Sequence, residues 1–268
     1  MKKIFVLLLS AIVFLSCNSK KDDPELDKKK AAEEIAYKKS LEKGIKYLSG
    51  KDSVGAYFSL PAGEGPFPTI ILIHEKWGLN DWIRNNADVF VNKGYAALAI
   101  DLYRGKTAAN SVLADTMMSQ IPLDRAIRDL RSAFAFLEKN PKVNKDNIGI
   151  IGWGMGGGLA LQATTYLTKL KAASVNYAAL ITDPAIIKKI SCPVLGIFGE
   201  TDRGLPVMGV QNFEKSLKEA KKENKIIIYR NVGHAFMNPN NKDGYNAEIT
   251  ERAWREIFAF LEKHLLKK

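Results

Sequence analysis

Cysteine is scarce in this sequence. Among 268 residues there are two cysteines, Cys17 and Cys192. Because Cys17 closes an N-terminal targeting segment and is a candidate for lipid modification, we expect Cys192 to have no disulfide partner. Cys192 also precedes a predicted strand, away from the sheet edge where ligands bind. We therefore predict a small buried thiol at Cys192 and a domain stabilised by its hydrophobic core.

A hydrophobic run long enough to cross a bilayer is missing as well. Residues 4–15 are mostly apolar and follow two lysines, but they are too few to span a membrane and suit a signal-peptide core. They lead into Ser16 and Cys17, which resemble a bacterial lipoprotein cleavage site. We predict a signal peptide over 1–16, a lipidated Cys17 and a charged tether over 17–43. The protein would then be anchored in the bacterial cell envelope, on its periplasmic or outer surface. A plain secretory signal cleaved near Ser16 is the alternative.

The charge pattern lacks the features of a nucleic-acid-binding protein. The formal net charge is +11, but the lysines are scattered among acids, as in residues 20–23. No basic stripe with interleaved aromatics occurs. We interpret the excess of positive charge as solvated surface charge. We also expect a monomer without nucleic-acid partners, metals or cofactors.

From Gly44 onward, strands and helices alternate over a length suited to one domain, 44–268. The predicted strands are a hairpin, Ile45–Leu48 and Ser53–Leu60, then Thr69–His74, Ala96–Asp101, Ile148–Gly152, Ala172–Tyr177, Val194–Gly199 and Ile226–Tyr229. The predicted helices are Ala31–Lys43, Trp82–Asn92, Asp124–Lys139, Met155–Thr168, Val207–Ala220 and Asn246–His264. Near-continuous apolar strands are typical of strands covered on both faces. The pattern predicts an α/β fold with a mostly parallel sheet and helices on both faces.

Polar residues follow four of the predicted strands, where the carboxyl ends of parallel strands form ligand sites. They are His74-Glu75-Lys76, Asp101 to Arg104, Asp202 and His234. A fifth strand runs into Gly152-Trp153-Gly154-Met155-Gly156, which has the spacing of a nucleophile elbow. Gly154 occupies the position where such a turn normally carries Ser or Cys. The chain order of nucleophile position, acid and histidine is that of the α/β-hydrolase fold.

These motifs resemble the dienelactone hydrolase family from about Gly44 to Leu265. The segments that carry the resemblance are 66–80, 193–202 and 152–157, the last standing where the family typically has G-x-C-x-G-G. The resemblance implies a hydrolase of small esters, lactones or related carboxylates.

Residue by residue, the resemblance implies Asp202 and His234 as the acid and base of a triad. Glu75 would be the carboxylate that partners the resting nucleophile, and Arg104 a clamp for a substrate carboxylate. The backbone N–H groups of Met155 and Lys76 would form the oxyanion hole. Arg104 has a second interpretation, because a lone loop arginine is commonly a surface charge.

Three interpretations of Gly154 remain open at this point. In the first, covalent catalysis is lost and the protein binds a small ligand. In the second, His234, oriented by Asp202, activates a water in the space left by the missing side chain and supports slow hydrolysis. In the third, Gly152, Gly154 and Gly157 form a dinucleotide fingerprint, which the bulky neighbours in the turn argue against.

Overall fold

The computed structural model describes residues 44–266. The predicted signal peptide, the tether and the predicted helix over Ala31–Lys43 lie outside the described residues. The first part of the domain contains β1 (Gly44–Ser49), β2 (Asp52–Ser59), β3 (Phe67–Ile73), α1 (Asp81–Val91), β4 (Ala96–Ile100), α2 (Ser111–Ser119) and α3 (Leu123–Glu138). The second part contains β5 (Val143–Trp153), α4 (Met155–Ala163), β6 (Ala172–Asn176), α5 (Pro184–Ile187), β7 (Val194–Gly199), α6 (Val207–Glu219), β8 (Asn224–Tyr229) and α7 (Ala247–Leu265).

The strands of the described part of the chain form one eight-stranded sheet in the order β1-β2-β4-β3-β5-β6-β7-β8. β2 pairs antiparallel with β1 and β4, whereas every other neighbouring pair is parallel. This arrangement confirms the predicted α/β sheet. It also places the carboxyl ends of β3, β5, β6, β7 and β8 at one edge, where the predicted site residues follow.

The two faces of the sheet bury alternate residues of the same strands. Ile70 and Leu72 of β3 pack with α1 and α7, while Ile71 and Ile73 pack on the opposite face with α3 and α4. Successive side chains of a strand point to opposite faces, so a strand covered on both sides must be apolar throughout. A third cluster joins α5 and α6 to β6 and β7.

Two helices were not predicted from the sequence. In α2 only Ala114 is buried, so the helix lacks the apolar stripe that marks an amphipathic helix. The other, α5, has four residues. None of the helices in residues 44–266 combines the length and apolar content needed to cross a bilayer.

Candidate active site

The turn between β5 and α4 centres on Gly154. This glycine has φ +53° and donates its N–H to the carbonyl of Asn176 at 3.0 Å. A Cβ atom at Gly152 would overlap the carbonyl of Gly156, and one at Gly156 would overlap the carbonyl of Ile73. The sharp turn therefore requires small residues around its tip. At the tip itself the space is open, because a Cβ atom at Gly154 would meet only Nε2 of His234, at 3.7 Å.

His234 and Asp202 form a hydrogen-bonded pair beside this turn. Asp202 follows β7 and His234 follows β8, and Nδ1 of the histidine lies 2.8 Å from Oδ2 of the aspartate. Oδ1 of Asp202 accepts a second hydrogen bond from the N–H of Gly204 at 2.9 Å. Burial alone would raise the pKa of Asp202, but the hydrogen bonds from His234 and Gly204 outweigh it and hold the pKa below its ordinary value. A carboxylate facing Nδ1 favours the tautomer whose Nε2 is a proton acceptor, and Nε2 faces Gly154.

Glu75 is buried close to the His234–Asp202 pair. Its carboxylate accepts hydrogen bonds from the Tyr177 hydroxyl at 3.0 Å and from Nδ2 of Asn238 at 2.7 Å. Burial raises the pKa of Glu75, although both hydrogen bonds and the neighbouring His234 act to lower it. The ring of Tyr177 also packs edge-on against His234, with centroids 5.3 Å apart. Tyr177 and Asn238 are therefore site residues that were not predicted from the sequence, although Tyr177 follows β6 and Asn238 lies four positions after His234.

The loop after β3 is held in place by the side chains of Tyr103 and His74. The Tyr103 hydroxyl donates to the carbonyl of Lys76 at 3.0 Å. His74 is buried, with Nδ1 2.6 Å from the carbonyl of Glu75 and Nε2 accepting from the N–H of Leu102 at 3.2 Å. Burial lowers the pKa of His74, which favours the neutral ring that this pattern requires. In the described part of the chain, the N–H groups of Lys76 and Met155 donate no hydrogen bond, so both are free for a ligand oxygen.

These groups line a cleft of about 960 Å³. Its walls include Glu75, Lys76, Gly154, Met155, Tyr177, His234 and Asn238. Two smaller depressions of about 360 Å³ each lie elsewhere and contain none of the predicted site residues. The size of the cleft and its mixed apolar and polar lining suit a small-molecule ligand.

Arg104 is not brought into this cleft. Its guanidinium lies 2.7 Å from Oδ2 of the buried Asp129 and donates to the carbonyl of Asp101 at 3.3 Å. Cys192 is also remote, as predicted from its strand position, and is a buried free thiol. Burial raises the pKa of Cys192 to about 12, so the thiolate form is suppressed.

Metal-binding clusters are not part of this site. Within residues 44–266, no three His, Cys, Asp or Glu side chains come together in a way that could hold a metal ion.

Known proteins resemble the chain over most of this domain. Residues 54–265 match the dienelactone hydrolase family. A Methylorubrum extorquens protein named "Putative carboxymethylenebutenolidase" is 27% identical over 218 residues, which cover 76% of this chain and 75% of that protein. A Bradyrhizobium protein named "Probable 2-oxo-3-(5-oxofuran-2-ylidene)propanoate lactonase" is 26% identical over 227 residues, covering 80% of this chain and 90% of the relative.

Solved structures agree at the level of the fold. The structure of a dienelactone hydrolase-like promiscuous phosphotriesterase from metagenomic libraries has a TM-score of 0.76 at 20% identity, covering 82% of this chain and 97% of that chain. At such a low identity, the structural similarity supports the fold alone. It confirms the α/β-hydrolase fold that was predicted from the order of the motifs.

Proposed function

We propose, since the chain belongs to the dienelactone hydrolase family, that its cleft binds a small ester, lactone or carboxylate without attacking it covalently. The observation that carries the proposal is the 3.7 Å between Nε2 of His234 and a Cβ atom placed at Gly154. A Ser or Cys at that position would lie beside its general base. Glycine offers no atom to attack a carbonyl carbon, so the acyl-enzyme route is closed.

The remaining groups are suited to holding such a ligand. The free N–H groups of Lys76 and Met155 can receive a carbonyl oxygen, which is what an oxyanion hole does for an ester or lactone. Nε2 of His234 can accept a hydrogen bond from a ligand, since Asp202 occupies Nδ1. The names of the two relatives, one of them a lactonase, support an ester or lactone as the ligand class.

Slow hydrolysis by water is a second candidate. The oriented His234–Asp202 pair favours it, because Nε2 could remove a proton from a water held next to Gly154. Enzymes that lose their triad retain about 10³–10⁴-fold acceleration over water from the oxyanion hole and binding. Turnover would then remain far below that of a complete triad.

Binding and turnover can be measured side by side with the full-length protein. δ-Valerolactone is titrated while the melting temperature is followed, and hydrolysis of 4-nitrophenyl acetate is assayed with the same preparation. Saturable stabilisation without catalysed hydrolysis supports the binder. Hydrolysis that His234→Ala abolishes and His264→Ala retains would establish the water mechanism instead. The His264 variant is the matched control, since this histidine lies on α7 outside the cleft.

We further propose that Cys17 is lipidated and anchors the protein in the cell envelope. The support is the sequence of residues 1–17, in which a short apolar run ends at Ser16-Cys17. Cys17→Ser should move the protein from the membrane fraction to a soluble fraction. If the unaltered protein is already soluble and cleaved near Ser16, the plain secretory signal is correct.

A further inference from the structure

His74 is a buried histidine directly before two residues that line the cleft, Glu75 and Lys76. Its own ring does not line the cleft. Nε2 accepts a hydrogen bond from the N–H of Leu102 at 3.2 Å, so the proton of the neutral ring lies on Nδ1. Nδ1 is 2.6 Å from the carbonyl oxygen of Glu75 and donates to it. One imidazole ring thus joins the loop after β3 to the loop after β4.

The surroundings of the ring favour this single arrangement. Burial lowers the pKa of His74, although the bond to the Glu75 carbonyl and the charge of Asp101 act in the opposite direction. The Asp101 carboxylate is engaged elsewhere, because it accepts hydrogen bonds from the N–H groups of Tyr103 and Gly105. The ring of Tyr103 packs edge-on against that of His74, with centroids 4.8 Å apart. The imidazole is therefore neutral and closely packed, with little room to turn.

The Glu75 carbonyl that His74 holds belongs to the same peptide bond as the N–H of Lys76. This peptide bond is trans, so its C=O and N–H point in opposite directions. Because the carbonyl is turned toward the buried ring, the N–H of Lys76 faces away from the ring, and Lys76 lines the cleft. The N–H of Gly78 also donates to the Glu75 carbonyl, at 3.2 Å, but the bond from His74 is the shorter one. The direction of the Lys76 N–H is thus set from the opposite side of its own peptide bond.

We propose that His74 is a positioning residue of the cleft: its Nδ1–H holds the Glu75 carbonyl and thereby aims the N–H of Lys76 at the carbonyl oxygen of the ligand. The inference rests on the proposed function, since it concerns the donor that receives that oxygen. His74 itself does not touch the ligand. Its bond from Leu102 orients the ring, so the loop after β4 contributes to the site through a residue that does not line the cleft.

Two substitutions separate the two hydrogen bonds of His74. In His74→Asn the side-chain amide lies near the position of Nδ1 and can still donate to the Glu75 carbonyl, whereas the bond from Leu102 is lost. In His74→Gln the amide oxygen reaches the position of Nε2 and can still accept from Leu102, whereas the bond to Glu75 is lost. Each variant loses one buried hydrogen bond, so urea unfolding should show a similar loss of stability in both. His74→Asn is therefore the matched control for His74→Gln.

The direction of the Lys76 N–H is measured in the isotope-labelled, full-length protein from its residual dipolar coupling, with the couplings of β3 and α1 as the reference. We expect His74→Asn to keep the coupling that Lys76 has in the parent. His74→Gln should change it while the reference couplings stay the same. An unchanged Lys76 coupling in His74→Gln, or equal changes in the two variants, would overturn the inference. So would nitrogen resonances of the parent that place the His74 proton on Nε2, a result that needs no variant.

Binding of δ-valerolactone measures the consequence for the ligand. Its Kd, from calorimetry, should rise about fivefold in His74→Gln, the scale of one hydrogen bond, and stay within about twofold of the parent in His74→Asn. Equal weakening in the two variants would assign the effect to lost packing and contradict the role of His74. If the parent does not bind the lactone, the proposed function fails, whereas the couplings of Lys76 still decide whether His74 sets the direction of this N–H.

Discussion

Nε2 of His234 lies 3.7 Å from the place where a Cβ atom of residue 154 would be, and residue 154 is a glycine. The other nitrogen of the same ring is held 2.8 Å from Asp202. The ring is thus oriented as a base toward a side chain that the chain does not supply. Residue 154 itself contributes no side-chain atom to the site, which is the basis of the proposal that the cleft binds its ligand without covalent attack.

Replacing Gly154 with alanine should destabilise the protein by about 1–3 kcal/mol. The backbone at Gly154 has φ +53°, which strains any residue with a Cβ atom. Urea unfolding of the parent and the variant measures the difference. Gly209→Ala is the control, because Gly209 lies in α6 with open space at its Cβ position and should gain up to about 1 kcal/mol in helix stability. A Gly154→Ala protein as stable as the parent would contradict the strained turn.

Glu75 should make stability depend on pH in a defined direction. Burial raises its pKa in the folded state, so ionising it costs more in the folded protein than in the unfolded chain. At low pH Glu75 is protonated in both the folded and the unfolded state and does not change the stability. As the pH rises from the ordinary pKa of glutamate through the raised pKa of the folded state, the parent loses stability. The free energy of unfolding of the parent relative to Glu75→Gln should therefore fall between pH 4 and pH 7.5.

Urea unfolding at both pH values checks the Glu75 prediction. Glu64→Gln is the control, because Glu64 is fully exposed and far from the cleft. A difference between the parent and Glu75→Gln that stays constant with pH, or that rises, would show that burial does not govern this carboxyl.

Arg104→Gln should reduce stability rather than ligand binding. The substitution removes the guanidinium from the buried carboxylate of Asp129, for which we expect a loss of roughly 1–3 kcal/mol. The Kd of monomethyl succinate should not change, since Arg104 does not line the cleft. Arg84→Gln, which removes a surface pair with Asp81, should cost less than about 1 kcal/mol. Weaker ligand binding with unchanged stability would restore Arg104 as a substrate clamp.

The sequence predicted the central strands well, because a strand that is covered on both faces of the sheet has to be apolar on both. β7 was predicted with the bounds that the structure has, Val194–Gly199. The helix after the turn was predicted to run to Thr168 but ends at Ala163. There the hydroxyls of Thr164 and Thr165 bond back to the carbonyls of Leu161 and Gln162. Such local bonds compete with helix continuation, and residue periodicity does not reveal them.

From the sequence, a site residue could be predicted only where it lies in a short motif that follows a strand. Glu75, Asp202 and His234 each follow a strand, and the parallel sheet brings them to one edge. Their partners are distant in the chain: Tyr177 lies 102 residues from Glu75, and Asn238 lies 163 residues from it. The position of Arg104 was not predictable either, because it depends on Asp129, which lies on a different element.

The most direct test of the proposed function is to place a nucleophilic side chain at position 154. Hydrolysis of 4-nitrophenyl acetate is compared between the parent, Gly154→Cys and Gly154→Cys/His234→Ala, the last correcting for the intrinsic reactivity of a thiol. We expect a parent with no burst of product, and a Gly154→Cys protein whose hydrolysis rate exceeds that of the double variant by about 10²-fold or more, the scale of general-base assistance. A parent that already turns over the ester as fast as Gly154→Cys would contradict the claim that glycine closes the covalent route.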